Sequence, residues 1–162
     1  FSLDGKSLAT LSGAIREPMA DPGPPVIWDM MTGARRELTV DGWPTQLAYA
    51  PDGVILAINT VVVGQPAGVN GTLLLDTVTG QVQRTITYAN NFPLDLSFSP
   101  DGKLLGVSYE SDQSVLWNVE TGEQALVLSD LGKLRQHTFS PDGTLLAAVS
   151  HDGRIMFWNV PR

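Results

Sequence analysis

One tight turn occurs four times in this chain. It reads Ser2-Leu3-Asp4-Gly5, Ala50-Pro51-Asp52-Gly53, Ser99-Pro100-Asp101-Gly102 and Ser140-Pro141-Asp142-Gly143, with the turn aspartates 48, 49 and 41 residues apart. Each turn is answered downstream by a second anchor: Ile27-Trp28-Asp29, Leu74-Leu75-Asp76, Leu116-Trp117-Asn118 and Phe157-Trp158-Asn159. The first three anchors lead into Thr32-Gly33, Thr79-Gly80 and Thr121-Gly122. Self-similarity at this period means stacked supersecondary units, each burying its apolar faces only against its neighbours.

The last full unit shows what one repeat encodes. Arg135-Gln136-His137-Thr138-Phe139 is a short alternating run, hence a strand. In the turn that follows, Pro141 presets φ, Asp142 bonds nearby backbone and Gly143 supplies the positive φ that closes a hairpin. Leu145-Leu146-Ala147-Ala148-Val149 is continuously apolar, the pattern of a strand buried on both faces. His151-Asp152-Gly153 gives a second turn and Ile155-Met156-Phe157-Trp158 a third strand. The preceding unit shows a fourth strand, Glu123 to Leu128, and Arg35-Arg36-Glu37 and Gln81-Val82-Gln83-Arg84 open its equivalents. Charge there suits an outer edge, where it discourages edge-to-edge pairing. The expected fold is all-β: four-stranded antiparallel meanders arranged radially as a β-propeller.

These residues resemble the WD-repeat β-propellers of bacterial style. The Phe-Ser-Pro-Asp-Gly turn, the Leu-Leu-Ala strand, the Leu-Trp-Asn or Ile-Trp-Asp strand end and the Thr-Gly turn carry the likeness, which spans essentially the whole chain. The last two units match more closely than the first two. The family's Gly-His pair before the first strand is absent from Val40-Asp41-Gly42-Trp43, Tyr88-Ala89-Asn90-Asn91 and Ser129-Asp130-Leu131-Gly132, so Asp152 lacks its usual partner and packing must stabilise more. Leu75 stands where a Trp is expected.

Phe1 aligns with Tyr49, Phe98 and Phe139 at the end of an innermost strand, and Arg162 follows a third strand. The expectation is an open fragment of roughly three and a half blades, with further blades of the same chain completing the ring. Residues 1–162 read as one partial propeller domain, with units near 1–42, 43–91, 92–132 and 133–162. The two terminal units should expose apolar faces.

Net charge is −7 with only 10 Lys plus Arg, which disfavours nucleic-acid and anionic-membrane partners. No apolar run approaches the roughly 18 residues of a spanning helix. Cysteine is absent, which removes thiol catalysis, disulfides and zinc–thiolate sites. The compartment stays open, with the cytoplasm as the default reading.

No catalytic, cofactor or metal site is expected. Ser150-His151-Asp152 holds the residue types of a hydrolase triad, but adjacent turn positions cannot form a relay. The aspartates Asp4, Asp52, Asp101 and Asp142 sit on separate blades and cannot converge on one calcium. With their glycines (Gly53, Gly102, Gly143), they are structural repeat anchors, as are Trp28, Trp117 and Trp158, which read as inter-blade packing. His137 takes the slot of Leu47 and Leu96 and reads as a core or channel-lining residue; Gln46 is the other conspicuous polar residue near the axis. Asn70-Gly71-Thr72 fits a glycosylation acceptor, but Asn-Gly reads better as a two-residue hairpin turn.

Function should lie where the repeats differ. Turn glycine to anchor is 23, 22, 15 and 15 residues, so the variation sits between second and third strands of the first two units. The two inserts, 13–24 and 62–70, share a face with the inter-blade links. They offer Arg16, Glu17, Met19, Asp21, Val63 and Gln65, joined by Trp43 and Phe92 from the links. Apolar and aromatic anchors with a charged rim suit protein recognition. The leading reading is a non-catalytic protein–protein interaction scaffold or sensor module of a larger, bacterial WD-repeat protein. The rival is a fragment of a propeller enzyme whose catalytic residues lie in other blades.

Overall fold

A computed structural model of the chain describes residues 1–11, 23–62, 70–88, 91–128 and 134–161. The four repeated turns close in the way their residues demand. Gly5, Gly53, Gly102 and Gly143 hold φ between 70° and 72°. In each turn the aspartate Oδ1 accepts from the backbone N–H two residues on: Lys6, Val54, Lys103 and Thr144. Ser99 and Ser140 tighten their turns by donating to Asp101 and Asp142 at 2.7 and 2.6 Å.

Between these turns run fourteen strands among the described residues: β1 (Ser7–Thr10), β2 (Val26–Asp29), β3 (Arg35–Glu37), β4 (Trp43–Tyr49), β5 (Ile55–Val61), β6 (Gly71–Asp76), β7 (Val82–Ile86), β8 (Pro93–Phe98), β9 (Leu104–Tyr109), β10 (Ser114–Asn118), β11 (Gln124–Leu128), β12 (Leu134–Phe139), β13 (Leu145–Ser150) and β14 (Ile155–Asn159). They form four antiparallel meanders in chain order: β1-β2-β3, β4-β5-β6-β7, β8-β9-β10-β11 and β12-β13-β14. The all-β expectation and the repeating sheet plan hold. The first sheet has three described strands rather than four, as does the last.

Three buried clusters form the core, each built by neighbouring sheets. One joins Ala9 and Leu38 of the first sheet region to Leu56, Ile58, Leu73 and Leu75 of the second. The next joins Ala57 and Leu74 to Leu96, Leu105, Val107, Val115 and Trp117. The last joins Leu116 and Leu128 to Phe139 and Leu146. The continuous apolar run of the fourth sheet departs from its expectation: Leu145 is exposed and Ala147 and Val149 are half-covered. β5 and β9 have sheets on both faces, whereas no described element covers this side of β13.

Two further readings are corrected. Asn70-Gly71 is not a two-residue turn: Gly71 opens β6, and Asn70 is buried with its Oδ1 accepting from Val62 N at 2.8 Å. Burial at that asparagine also removes the glycosylation reading. The charged outer strands, meanwhile, do more than shield an edge. Arg36 donates to the Thr77 and Val78 carbonyls of the next sheet, and Arg84 Nη2 donates to Glu120 O at 2.7 Å. Each arginine thereby clamps the turn after the third strand of its neighbour.

Candidate functional site

Two places hold polar side chains that the turns do not use: the inner strands and one rim. On the inner strands, the same irregularity recurs. β4, β8 and β12 each carry one extra residue, between Pro44 and Gln46, Pro93 and Asp95, and Leu134 and Gln136. Such a bulge re-aims the residues after it. Asp95 thereby turns its carboxylate between its neighbours. Oδ1 accepts from Gln46 Nε2 at 2.7 Å on one side, and Oδ2 accepts from the His137 backbone N–H at 2.8 Å on the other. One carboxylate therefore ties together the inner strands of three successive sheets.

The His137 ring lies beside the same oxygen, with Nδ1 3.2 Å from Asp95 Oδ2, a close approach without the geometry of a hydrogen bond. Burial pushes the Asp95 carboxyl up, but the imidazole, the His137 N–H and the Gln46 amide outweigh it and hold it below the usual carboxylate range. An Asp–His pair has the chemistry of a general-base dyad. Here the His137 side chain is fully buried and its Nε2 lies 2.6 Å from where a Cβ on Gly106 would stand. No substrate atom reaches that nitrogen, so the pair is a structural latch. His137 thus packs between the third and fourth sheets, its side chain buried at the back of a hollow of about 400 Å³ that Asp95, Gln136 and Thr138 also line. Asp95 was not singled out in the sequence; the signal for it is a charge inside the otherwise apolar Leu94-Asp95-Leu96.

The rim is assembled from the links and the bases of the inserts. Trp43 begins β4 and is half-buried; Phe92 precedes β8 and is exposed. The Gln46–Asp95 bond holds β4 beside β8, which brings both starting ends to one edge. Gly42, with φ 87°, sits so close to the first insert residue of the second sheet that a Cβ there would meet Val62 Cγ2 at 2.9 Å. Link and insert therefore touch where the structure describes them. Phe92 O accepts from Glu110 N at 3.0 Å, which places the next link against the β9–β10 turn. Tyr88 completes this corner, stacking 4.9 Å from Tyr109 and donating through its hydroxyl to Gln113 at 2.9 Å. Arg16, Glu17, Met19, Asp21, Val63 and Gln65 lie outside the described residues.

The anchors have defined surroundings. Trp117 is buried and donates to Tyr109 Oη at 3.2 Å; Trp28 donates to Thr10 Oγ1 at 3.0 Å; Trp158 packs on the third core cluster. Asp142 is drawn down to about 2 by the Ser140 hydroxyl and the Thr144 N–H and hydroxyl. Ser150 donates to Asp152, so a local serine serves the turn aspartate.

The opposite rim holds two repeat-equivalent grooves. One of about 500 Å³ runs past Asp52, Arg84 and Lys103, and one of about 700 Å³ past Asp101, Asn118 and Asp142. Both are seams between adjacent sheets. Among the described residues, no three His, Asp or Glu side chains gather to hold a metal ion.

Comparison with known proteins adds one match: residues 129–159 fit the family described as WD domain, G-beta repeat. No curated protein matches the chain.

Proposed function

We propose that the chain, whose residues 129–159 fit the WD domain, G-beta repeat family and whose four sheets repeat one plan, acts as a non-catalytic scaffold that binds other proteins through the rim carrying Trp43 and Phe92. WD repeats typically mediate protein–protein contacts, and the matched repeat at 129–159 is followed backwards through the chain by sheets of the same plan. The observation that carries the choice of rim is the contact of Gly42 with Val62, which joins a link to the base of an insert. Variable loops seated on rigid sheets are a usual place for binding residues. Trp43 and Phe92 are the proposed aromatic anchors, and the insert residues Arg16, Glu17, Met19, Asp21, Val63 and Gln65, which lie outside the described residues, are the proposed further contacts.

The test is subtraction followed by identification. Both inserts are shortened to the length of the fourth unit's turn, and Trp43→Ala with Phe92→Asp is made separately. Partners recovered by cross-linking and mass spectrometry with the parent chain are purified and titrated against each variant. Affinity should fall by at least about tenfold, the scale of one anchor residue. Unchanged affinity in both variants, with native circular dichroism, would place the site elsewhere.

A further inference from the structure

The rim that carries the four repeated turns lies opposite the Trp43 and Phe92 rim, and its side chains change character from sheet to sheet. The residue after each turn glycine is Lys6, Val54, Lys103 and Thr144; the second residue after each anchor is Met31, Val78, Glu120 and Pro161. Charged residues such as Lys103 and Glu120 are ordinary occupants of an exposed turn. In the second sheet both positions are apolar, with Val54 47 % exposed and Val78 79 %. Leu3 and Met31 of the first sheet, each 81 % exposed, belong to the equivalent turns.

Hydrogen bonds hold these turns side by side. Val54 O accepts from Thr77 N at 2.9 Å and Gly53 O from the Thr77 hydroxyl at 2.7 Å. In the first sheet Lys6 O accepts from Met30 N at 2.8 Å. Between the two sheets, Leu3 shares a groove of about 320 Å³ with Pro51 and Gly53, and Arg36 reaches the Thr77 and Val78 carbonyls. The second sheet packs against a described sheet on each side, and Val78 stays exposed although Arg36 holds its carbonyl. Its exposure is therefore a property of the rim. Apolar side chains gathered at a surface mark contact sites, and methionine adapts its shape to what it meets.

The setting of the patch is anionic. Asp4, Asp29, Asp52 and Asp76 are the turn and anchor carboxylates of the same two sheets. Backbone N–H groups of Thr32 and Met31 hold the Asp29 carboxyl below its usual range, the Thr79 N–H and hydroxyl do so for Asp76, and the Ser2 hydroxyl and Lys6 N–H for Asp4. The cations nearby are engaged: Lys6 faces Asp4 at 3.6 Å, Arg35 faces Glu37 at 3.7 Å, and Arg36 is turned onto carbonyls. Among the described residues Asp29, Asp52 and Asp76 have no ion pair. We propose that the turn rim of the first two sheets binds a protein segment in which apolar side chains are flanked by lysine or arginine. Charge selects this occupant, because complementary potentials draw such a segment in and repel a second copy of a chain of net charge −7, a nucleic acid or an anionic lipid.

The probe is a dye-labelled synthetic peptide of leucine and lysine, titrated against the full chain by fluorescence anisotropy. It should bind, and its affinity should fall as salt rises. Peptides with serine for leucine, or glutamate for lysine, should bind at least about tenfold more weakly. Met31→Gln with Val78→Gln should cost at least about tenfold and leave the circular dichroism native, since the third sheet carries Glu120 at this position. Asp29→Asn with Asp76→Asn should weaken binding and flatten its salt dependence. The turns survive that change: Asn118 stands there in the third sheet, its Oδ1 accepting from Thr121 N at 2.9 Å. Glu110→Gln with Glu123→Gln, which removes the same charge from exposed positions elsewhere, should leave the affinity unchanged. So should Trp43→Ala with Phe92→Asp, because the two rims are separate surfaces. No binding of the leucine–lysine peptide overturns the proposal, as does unchanged affinity in the Met31 and Val78 variant. An equal loss in the Glu110 and Glu123 variant also overturns it, since the peptide would then be attracted by the acidic chain as a whole.

Discussion

Asp95 concentrates more of the inter-sheet chemistry than any other side chain described. Its two oxygens serve donors from the sheets on either side, and it is held ionised against burial. Asparagine has the same shape but one acceptor instead of two, so its amide would face either Gln46 Nε2 or the His137 N–H, donor against donor. Asp95→Asn should therefore cost about 1–3 kcal/mol at neutral pH, the cost of stranding a buried donor. The pH dependence has a definite sign. The folded pKa lies below the unfolded value, so the carboxylate stabilises the fold above about pH 4, and that stabilisation is lost as pH falls through the folded value. Denaturant unfolding of parent and variant should accordingly converge below about pH 4. A gap that stays constant down to pH 2 would mean that Asp95 is not ionised in the fold.

At the level of strands and sheets, the third interface solves the same packing problem with a different pair. Leu47 packs on the cluster containing Ala9, and Leu96 shares a cluster with Ala57. In the next interface His137 meets Gly106, where a methyl group would lie 2.6 Å from Nε2. Gly106→Ala alone should destabilise by about 1–3 kcal/mol through overpacking. Gly106→Ala combined with His137→Leu rebuilds the Ala–Leu pair of the neighbouring interface and should recover most of that loss; a double-mutant cycle measures the coupling. Additive losses would show that the pair does not interact. This exchange also explains what the sequence could reveal. The turns, the fourteen strands and the sheet plan were readable because Gly at positive φ, Pro and apolar runs act locally and recur. The Asp95 latch was not, because its partners lie 49 residues before it and 42 after it, and only the three inner-strand bulges aim them at one another. The outer clamps hid for the same reason: Arg36 looks like an exposed edge charge until the next sheet's carbonyls are in place. Of the rim, the links could be placed from the sequence and are described, whereas the six insert residues fall outside the described segments.

For the molecule as a whole, stability follows from how many neighbours each sheet has. In a stacked array every sheet gains mainly from the two interfaces that flank it. The second and third sheets have both, and the cores of β5, β6, β9 and β10 are buried along nearly their full length. Among the described residues the fourth sheet meets one, and β14 alternates exposed with half-covered residues throughout. Local opening is easiest where few apolar contacts must break. Backbone amides of β13 and β14 should therefore exchange with solvent faster than those of β9 and β10, at low protein concentration, by about tenfold or more for each 1.4 kcal/mol of missing interface. If β13 and β14 exchange as slowly as the central strands in the dilute monomer, the fourth sheet draws its stability from within, and the nearest-neighbour account of this array is wrong.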